Sequence, residues 1–333
     1  MFPSPIVVAP MAGGTSTVDL VVAAARSGGF GFLAAGYKSA QTLAGQVAEA
    51  RAAGVDFGVN VFVPGTIPPD AAALAVYRQE LEAEAAAYGV DLPPVFEDDD
   101  GWQEKIDLLA SDPVPLVSFT FGLAPASVVR RLQRAGSRVI ASVTGVEEAE
   151  LAAETGVDAL TVQHQHAGSH TAAFLPPSRH APAPDTAALV SLIRHAVELP
   201  LIGAGGLGSQ ADIKPVLAAG AVAVQLGTAF IRTAESGARQ LHKDALADPQ
   251  YTETVITRAF TGKPARALAN RFVRDHPYAP AGYPAIHHLT APIRAAAAAR
   301  GDAGGINLWA GTSWRQARDV AAGEVVEGFL REL

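Results

Sequence analysis

Residues 157–170 read V-D-A-L-T-V-Q-H-Q-H-A-G-S-H, and the fold is decided on that stretch. Val157 to Val162 is a short apolar run that follows a helix-like segment from Val146 to Thr155 and gives way to polar residues broken by Gly168. That is the pattern of a strand handing side chains to a loop. In a parallel α/β barrel the chemistry sits at the C-terminal ends of the strands. Gln163 then points at a ligand, and His170, on the loop above it, is the candidate acid or base.

Outward from this strand the same alternation repeats. Pro5–Ala9, Gly31–Ala35, Phe57–Phe62, Val114–Phe119, Arg138–Val143, Val157–Gln163, Leu201–Ala204 and Ala223–Leu226 read as strands, with helical stretches between them. Eight β-α repeats predict an α/β protein whose parallel strands close into a (β/α)8 TIM barrel; an open doubly wound sheet is the alternative. The rhythm pauses over about 68–112, predicted as a helical insertion with a solvated acidic run at Glu97 to Asp100. It breaks again after residue 250. The expected organisation is a barrel over 1–250, a smaller α+β cap or substrate subdomain over 251–312, and a closing helix within 313–333. In the cap, Arg258 to Arg266 reads as a strand-turn segment, Arg315 to Leu333 as the closing helix, and His287 and His288 as surface or interdomain residues.

The chain has 333 residues, 49% hydrophobic and 17% charged, enough for one large barrel with decoration but short for two independent domains. A net charge of −8 without a basic cluster argues against nucleic acid and leaves a small molecule as the expected partner. With no cysteine, disulfides, thiolate catalysis and iron-sulfur clusters are excluded, which suits a cytoplasmic setting. Met1 to Pro5 lacks the flank and core of a signal peptide, and no apolar run approaches the ~20 residues of a membrane span, so no membrane partner is expected. A homodimer stays open.

The glycines point to a phosphate. Gly203-Ala204-Gly205-Gly206 follows the seventh predicted strand, and Gly227-Thr228 follows the eighth just before a helix-like Ala229-Phe230-Ile231. Backbone N–H groups freed of side chains approach an anion closely there, where barrels commonly bind phosphate, and the Thr228 hydroxyl adds a donor. At the end of the first strand, Pro10, Met11 and Ala12 with two following glycines suit a flat ring system. Asn60, at the end of the third, carries an amide that both donates and accepts. His164, His166 and His170 also admit a rival, a three-histidine metal site of a hydrolase; no metal is expected, because carboxylates are few nearby and the glycine sites would go unused.

Eight segments, in order along nearly the whole chain, resemble the nitronate monooxygenase family, formerly the 2-nitropropane dioxygenases. They are A-P-M-A-G-G-T-S-T (9–17), G-V-N-V-F (58–62), V-S-F-T-F-G (117–122), E-T-G-V-D-A-L-T-V-Q (154–163), A-G-S-H (167–170), G-A-G-G-L (203–207), Q-L-G-T-A-F (225–230) and N-L-W-A-G (307–311). The resemblance implies an FMN enzyme, a barrel with a cap over its mouth, that oxidises alkyl nitronates and in some cases nitroalkanes with O2 to a carbonyl compound and nitrite. It implies His170 as base or substrate-positioning group, and Pro10, Met11, Ala12, Asn60, Gln163, Gly168, Gly205, Gly206, Gln225, Gly227 and Thr228 as cofactor-contacting positions. Ser118, His164, His166, Ser169, Tyr283 and Trp309 are the candidates for the substrate pocket. His164, His166, Ser169, Thr171 and Thr312 depart from the family's usual residues around the candidate base. An FMN-dependent enoyl-thioester reductase using NAD(P)H, which shares the A-G-x-H loop, and a non-catalytic flavin-binding protein stay open as alternatives.

Overall fold

The computed structural model describes residues 4–65, 70–96, 98–176, 182–331 and 333. Met1 to Pro3, Pro68 and Glu97, which entered the reading above, lie outside the described residues. Eight parallel strands close into a barrel in the order β1 (Ile6–Val8), β2 (Phe30–Ala34), β3 (Phe57–Phe62), β4 (Leu116–Thr120), β5 (Arg138–Val143), β6 (Ala159–Gln163), β8 (Leu201–Ala204) and β9 (Ala223–Leu226). The number omitted there, β7 (Ser169–His170), belongs to a second sheet. Closure comes from β1, which pairs with β2 on one side and β9 on the other. The TIM barrel expected from the eight repeats is thus present, and the open sheet is not.

Nearly every strand residue is buried, because helices cover the outside and side chains fill the inside; such strands read as continuous apolar runs. The outer layer is α1 (Val18–Arg26), α2 (Ala40–Ala52), α4 (Trp102–Ser111), α5 (Ala126–Ala135), α6 (Val146–Glu154), α7 (Thr186–Ala196), α8 (Gln210–Ala218) and α12 (Ala322–Leu330). Their starts are written in the sequence: Thr17 caps α1 by accepting from the Leu20 N–H at 3.0 Å, and Asp185 caps α7 by accepting from Ala188 at 2.8 Å.

Inside the barrel, alternate residues face the axis, and their character changes along the strands. At the N-terminal end Val7, Phe30, Phe32, Leu116, Ile140, Ala159, Ile202 and Ala223 form a closed apolar layer. Phe32 fills the axis so fully that a Cβ on Gly58 would lie 2.2 Å from its ring. Two or four residues further along the same faces stand Asn60, Ser118, Thr120, Ser142, Thr161, Gln163 and Gln225, which line a cavity. The barrel is therefore plugged at one end and polar at the other.

A second core lies above that polar end. It packs α3 (Ala71–Tyr88) against α11 (Ala285–Ala299), together with α9 (Gln240–Ala245), α10 (Arg271–Asp275) and a three-stranded antiparallel sheet in the order β10 (Thr254–Thr257), β11 (Ala265–Leu268), β7. The stretch expected as one insertion at 68–112 divides between the two cores. Leu74, Tyr77, Leu81 and Ala85 of α3 join the cap core, whereas Ile106 and Leu109 of α4 join the barrel core. The predicted strand-turn at 258–266 is mostly the connection of the β10–β11 hairpin, because Phe260 leaves the ladder to be buried in the cap. The closing helix is shorter than Arg315 to Leu333: it forms only over Ala322–Leu330, where Ala322, Val325, Val326 and Phe329 recur on one buried face.

Candidate active site

The cavity opens at the C-terminal ends of the barrel strands, beneath the cap, with about 250 Å³ of solvent-accessible volume. Its floor is a hydrogen-bonded ladder across neighbouring strands. The Asn60 amide donates to Ser118 Oγ at 2.9 Å and to Thr120 Oγ1 at 3.0 Å, and Thr120 Oγ1 lies 3.2 Å from Ser142 Oγ.

One wall carries the glycine turns. Gly205 and Gly206 adopt φ +112° and +72°, in the left-handed region, and a Cβ on Gly205 would stand 2.7 Å from the His164 carbonyl oxygen. Across from them, Thr228 Oγ1 accepts the Gly311 N–H at 3.0 Å, leaving its own hydroxyl hydrogen free to donate. Pro10, Met11, Ala12, Gly168, Gln225 and Gly227 line the same space. Gln163 lines it too, but both ends of its amide hold the loop: Nε2 donates to the His170 carbonyl at 3.1 Å and Oε1 accepts from the Ala172 N–H at 2.7 Å.

His170 stands at the seam between barrel and cap. As β7 it pairs with Ala265 of β11, while Ser169 pairs with Arg266. Its Nε2 lies 2.9 Å from Thr261 Oγ1 and its Nδ1 3.3 Å from Ser169 Oγ. The rings of Trp309, Phe121 and Tyr283 surround the imidazole with centroids at 5.2, 5.6 and 5.8 Å. Burial, with Lys263 and then Arg294 adding positive charge, pulls its pKa down to about 3, so the imidazole is neutral at pH 7. Lys263 is itself drawn down to about 8 by burial; its ammonium stands 4.7 Å over the Phe121 ring and donates to the Ala173 carbonyl.

Ser118, Ser169 and Trp309 line the cavity with His170. Three other pocket candidates, His164, His166 and Tyr283, do not. His164 is buried, donates from Nε2 to the Ala183 carbonyl at 2.9 Å and accepts the His166 N–H on Nδ1, so both nitrogens serve to fold the loop. His166 packs edge-on against that ring and behind Gly206. The three-histidine metal site is therefore not assembled, and among the described residues no group of three His, Asp or Glu side chains is placed to hold a metal ion. Tyr283 contacts His170 from behind the cavity wall, its hydroxyl donating to Tyr37 Oη at 3.1 Å.

Sequence reasoning missed Tyr37, Phe121, His242 and Arg294, all of which line the cavity. Tyr37 and Phe121 take φ +63° and +79°, a conformation unusual for bulky residues that clusters at functional sites. Tyr37 is held there by Asp100 Oδ1, which accepts its N–H at 2.8 Å, and by His287 stacked at 4.0 Å. The acidic run expected as exposed surface is thus partly internal: Asp100 also pairs with buried Lys105 at 2.8 Å, and Asp98 with His288 at 2.8 Å.

A plugged barrel with a capped, polar cavity at the C-terminal ends of its strands defines the chain as a barrel enzyme. The comparisons with known proteins narrow this. The family model described as nitronate monooxygenase matches residues 1–332. A probable nitronate monooxygenase of Staphylococcus aureus (strain MSSA476) is 34% identical over 334 residues, covering 99% of this chain and 94% of the relative. The crystal structure of a nitroalkane oxidase from Streptomyces ansochromogenes superposes with a TM-score of 0.94 at 47% identity, covering 100% of this chain and 96% of that one. FabK from Thermotoga maritima, at 23% identity and TM-score 0.74 over 99% and 92% of the two chains, shares the fold. The chain belongs to the nitronate monooxygenase family, whose members are flavin-dependent oxidoreductases acting on nitro compounds. Among the described residues no helix is long and apolar enough to cross a membrane.

Proposed function

We propose that the protein is an FMN-dependent enzyme that oxidises alkyl nitronates with O2 to a carbonyl compound and nitrite in the cytoplasm. The observation that carries this reading is a neutral, enclosed histidine facing a glycine-walled cavity with two cations beside it. The residues present fit the cofactor. Gly168 and Gly227 line the cavity without side chains, Asn60, whose amide N–H groups go to Ser118 and Thr120, keeps Oδ1 as an acceptor for a heterocycle edge, and the donors at Gly205, Gly206 and Thr228 suit a phosphate. Pro10, Met11, Ala12 and Gly168 would flank the rings, Asn60 and Gln225 address their edge, and Gly205, Gly206, Gly227 and Thr228 hold the phosphate. When bound, FMN supplies the electron acceptor and the centre that reacts with O2.

The chain's own part is to bind, orient and hold a proton. With its proton on Nε2, facing Thr261, His170 has its lone pair on Nδ1, where the Ser169 hydroxyl, 3.3 Å away, would yield its place to a substrate proton. A nitronate arrives already deprotonated, and the imidazole then positions it. For a neutral nitroalkane, Nδ1 would accept the proton from the carbon next to the nitro group. A base with a pKa of about 3 is a poor acceptor unless the anion formed is stabilised as well. Lys263, whose ammonium is held beside the imidazole, offers that stabilisation, and the same weakness makes the nitronate the better substrate. The aromatic rings and the cap exclude water from the reacting face.

The test is to mix the purified holoprotein with propionate 3-nitronate without air, then admit air, recording the visible spectrum and released nitrite. Loss and aerobic recovery of the oxidised flavin spectrum with nitrite release is expected. A flavin that ignores the nitronate but is reduced by NAD(P)H and reoxidised by enoyl thioesters would replace this reading with the reductase.

A further inference from the structure

The wall of the cavity has a one-sided charge balance. The chain carries a net −8, yet among the described residues no Asp or Glu lines the cavity, while Arg239 and Arg294 do. Arg294, on α11, is enclosed by protein on every side but the cavity. Its Nε donates to Thr290 Oγ1 at 3.1 Å, Nη2 to the His287 carbonyl at 2.8 Å, and Nη1 to Asn307 Oδ1 at 3.4 Å. Each of these acceptors is neutral, and among the described residues no carboxylate pairs with this guanidinium. The fully buried Lys105, by contrast, has Asp100 as its counter-ion at 2.8 Å.

A guanidinium removed from water without a counter-ion is costly, and its neutral hydrogen bonds orient it without cancelling its charge. The phosphate is assigned to the turns that follow β8 and β9 of the barrel, whereas Arg294 stands on α11 of the cap. A nitronate does fit. Its two oxygens share a negative charge in one plane, as a carboxylate's do, and a guanidinium fork matches that shape. The neutral nitro group has the same two oxygens without the net charge.

We infer that Arg294 is the specificity-determining residue by which this cavity selects the anionic nitronate over the neutral nitroalkane. The inference rests on the reading of the cavity as a nitronate-oxidising site. It differs from the part given to His170, which handles a proton; Arg294 reads charge.

The test compares wild-type, R294M and R294K holoproteins, each checked for flavin content and melting temperature. Calorimetry gives the affinity for nitrate, a planar oxyanion that cannot be oxidised here, and kinetics give kcat/KM for ethylnitronate and for nitroethane. Losing a charged hydrogen bond predicts that R294M weakens nitrate, and lowers kcat/KM for ethylnitronate, by about 10- to 100-fold, with nitroethane changed by less than about threefold. R294K, which keeps the charge but not the fork, retains the preference for ethylnitronate. R294M with wild-type nitrate affinity, or with parallel losses on both substrates, overturns the inference. If R294M does not fold, loss of the nitronate preference in R294K overturns it and retention supports it. Should the wild type bind nitrate in an Arg294-dependent way yet oxidise neither compound, anion selection stands and the oxidation reading falls.

Discussion

Replacing Gly168 by Ala tests how tightly the base is positioned. The added Cβ would lie 2.6 Å from Gly311 N, 2.7 Å from the Ala310 carbonyl carbon and 3.1 Å from Ala310 Cα, all of them backbone atoms that no rotamer change can move. Ordinary contact begins at about 3.4 Å, so the two segments must part by roughly 0.8 Å. The 310–312 side is pinned, because Gly311 N–H is bonded to Thr228 and Thr312 N–H to the His166 carbonyl at 3.0 Å. The loop bearing Ser169 and His170 therefore gives way. Overpacking of this kind costs about 1–3 kcal/mol, and a misplacement near 1 Å at a reacting group costs about 10²-fold in rate. The variant should melt a few degrees lower and lose about two orders of magnitude in kcat/KM on a nitronate. A G168A holoprotein with wild-type melting temperature and wild-type kinetics would refute the reasoning.

Three further outcomes follow from the same geometry. His170→Asn should retain flavin and lose about 10²–10⁴-fold on nitroethane but less on ethylnitronate; equal losses on both would remove proton abstraction as its role. Thr228→Ala removes a donor from the phosphate cradle and the acceptor of the Gly311 N–H, and should weaken FMN retention by about 10-fold or more, read as flavin released on dilution. His170, His242 and His287 have folded pKa values lowered to about 3, about 4 and about 2. Since the unfolded chain takes up these protons first, stability should be unaffected by them above pH ~6.5 and fall as pH drops from there toward 3, a slope visible in melting temperatures between pH 7.5 and 5. A flat profile would mean that these rings are not held neutral.

Much of this was legible in the chain. The barrel shows because each strand is a short apolar run between helical segments, and because the period-two positions of β4, Leu116-Ser118-Thr120, and of β6, Ala159-Thr161-Gln163, pass from apolar to polar toward the cavity. The glycine turns and His170 stand out for the same local reason. Arg294 does not, since within Pro292 to Ala299 it reads as one polar residue on an Ala-rich helix, and only the packing of α11 over the barrel turns it inward. Tyr37 and Phe121 carry no glycine to announce their backbone. The pairing of Ser169 and His170 with β11, nearly a hundred residues away, has no local signature, and His164 and His166 looked like pocket residues because spacing cannot tell a ring that faces a ligand from one that fastens a loop.

The two-residue strand β7 has a consequence for traffic through the enzyme. His170 is carried by barrel chain but latched to the cap sheet through Ala265 and Thr261. A displacement of the cap that broke these two contacts would release the histidine from its register as well. On the proposed function the arrangement would be an interlock, the base being in place only while the cap is seated.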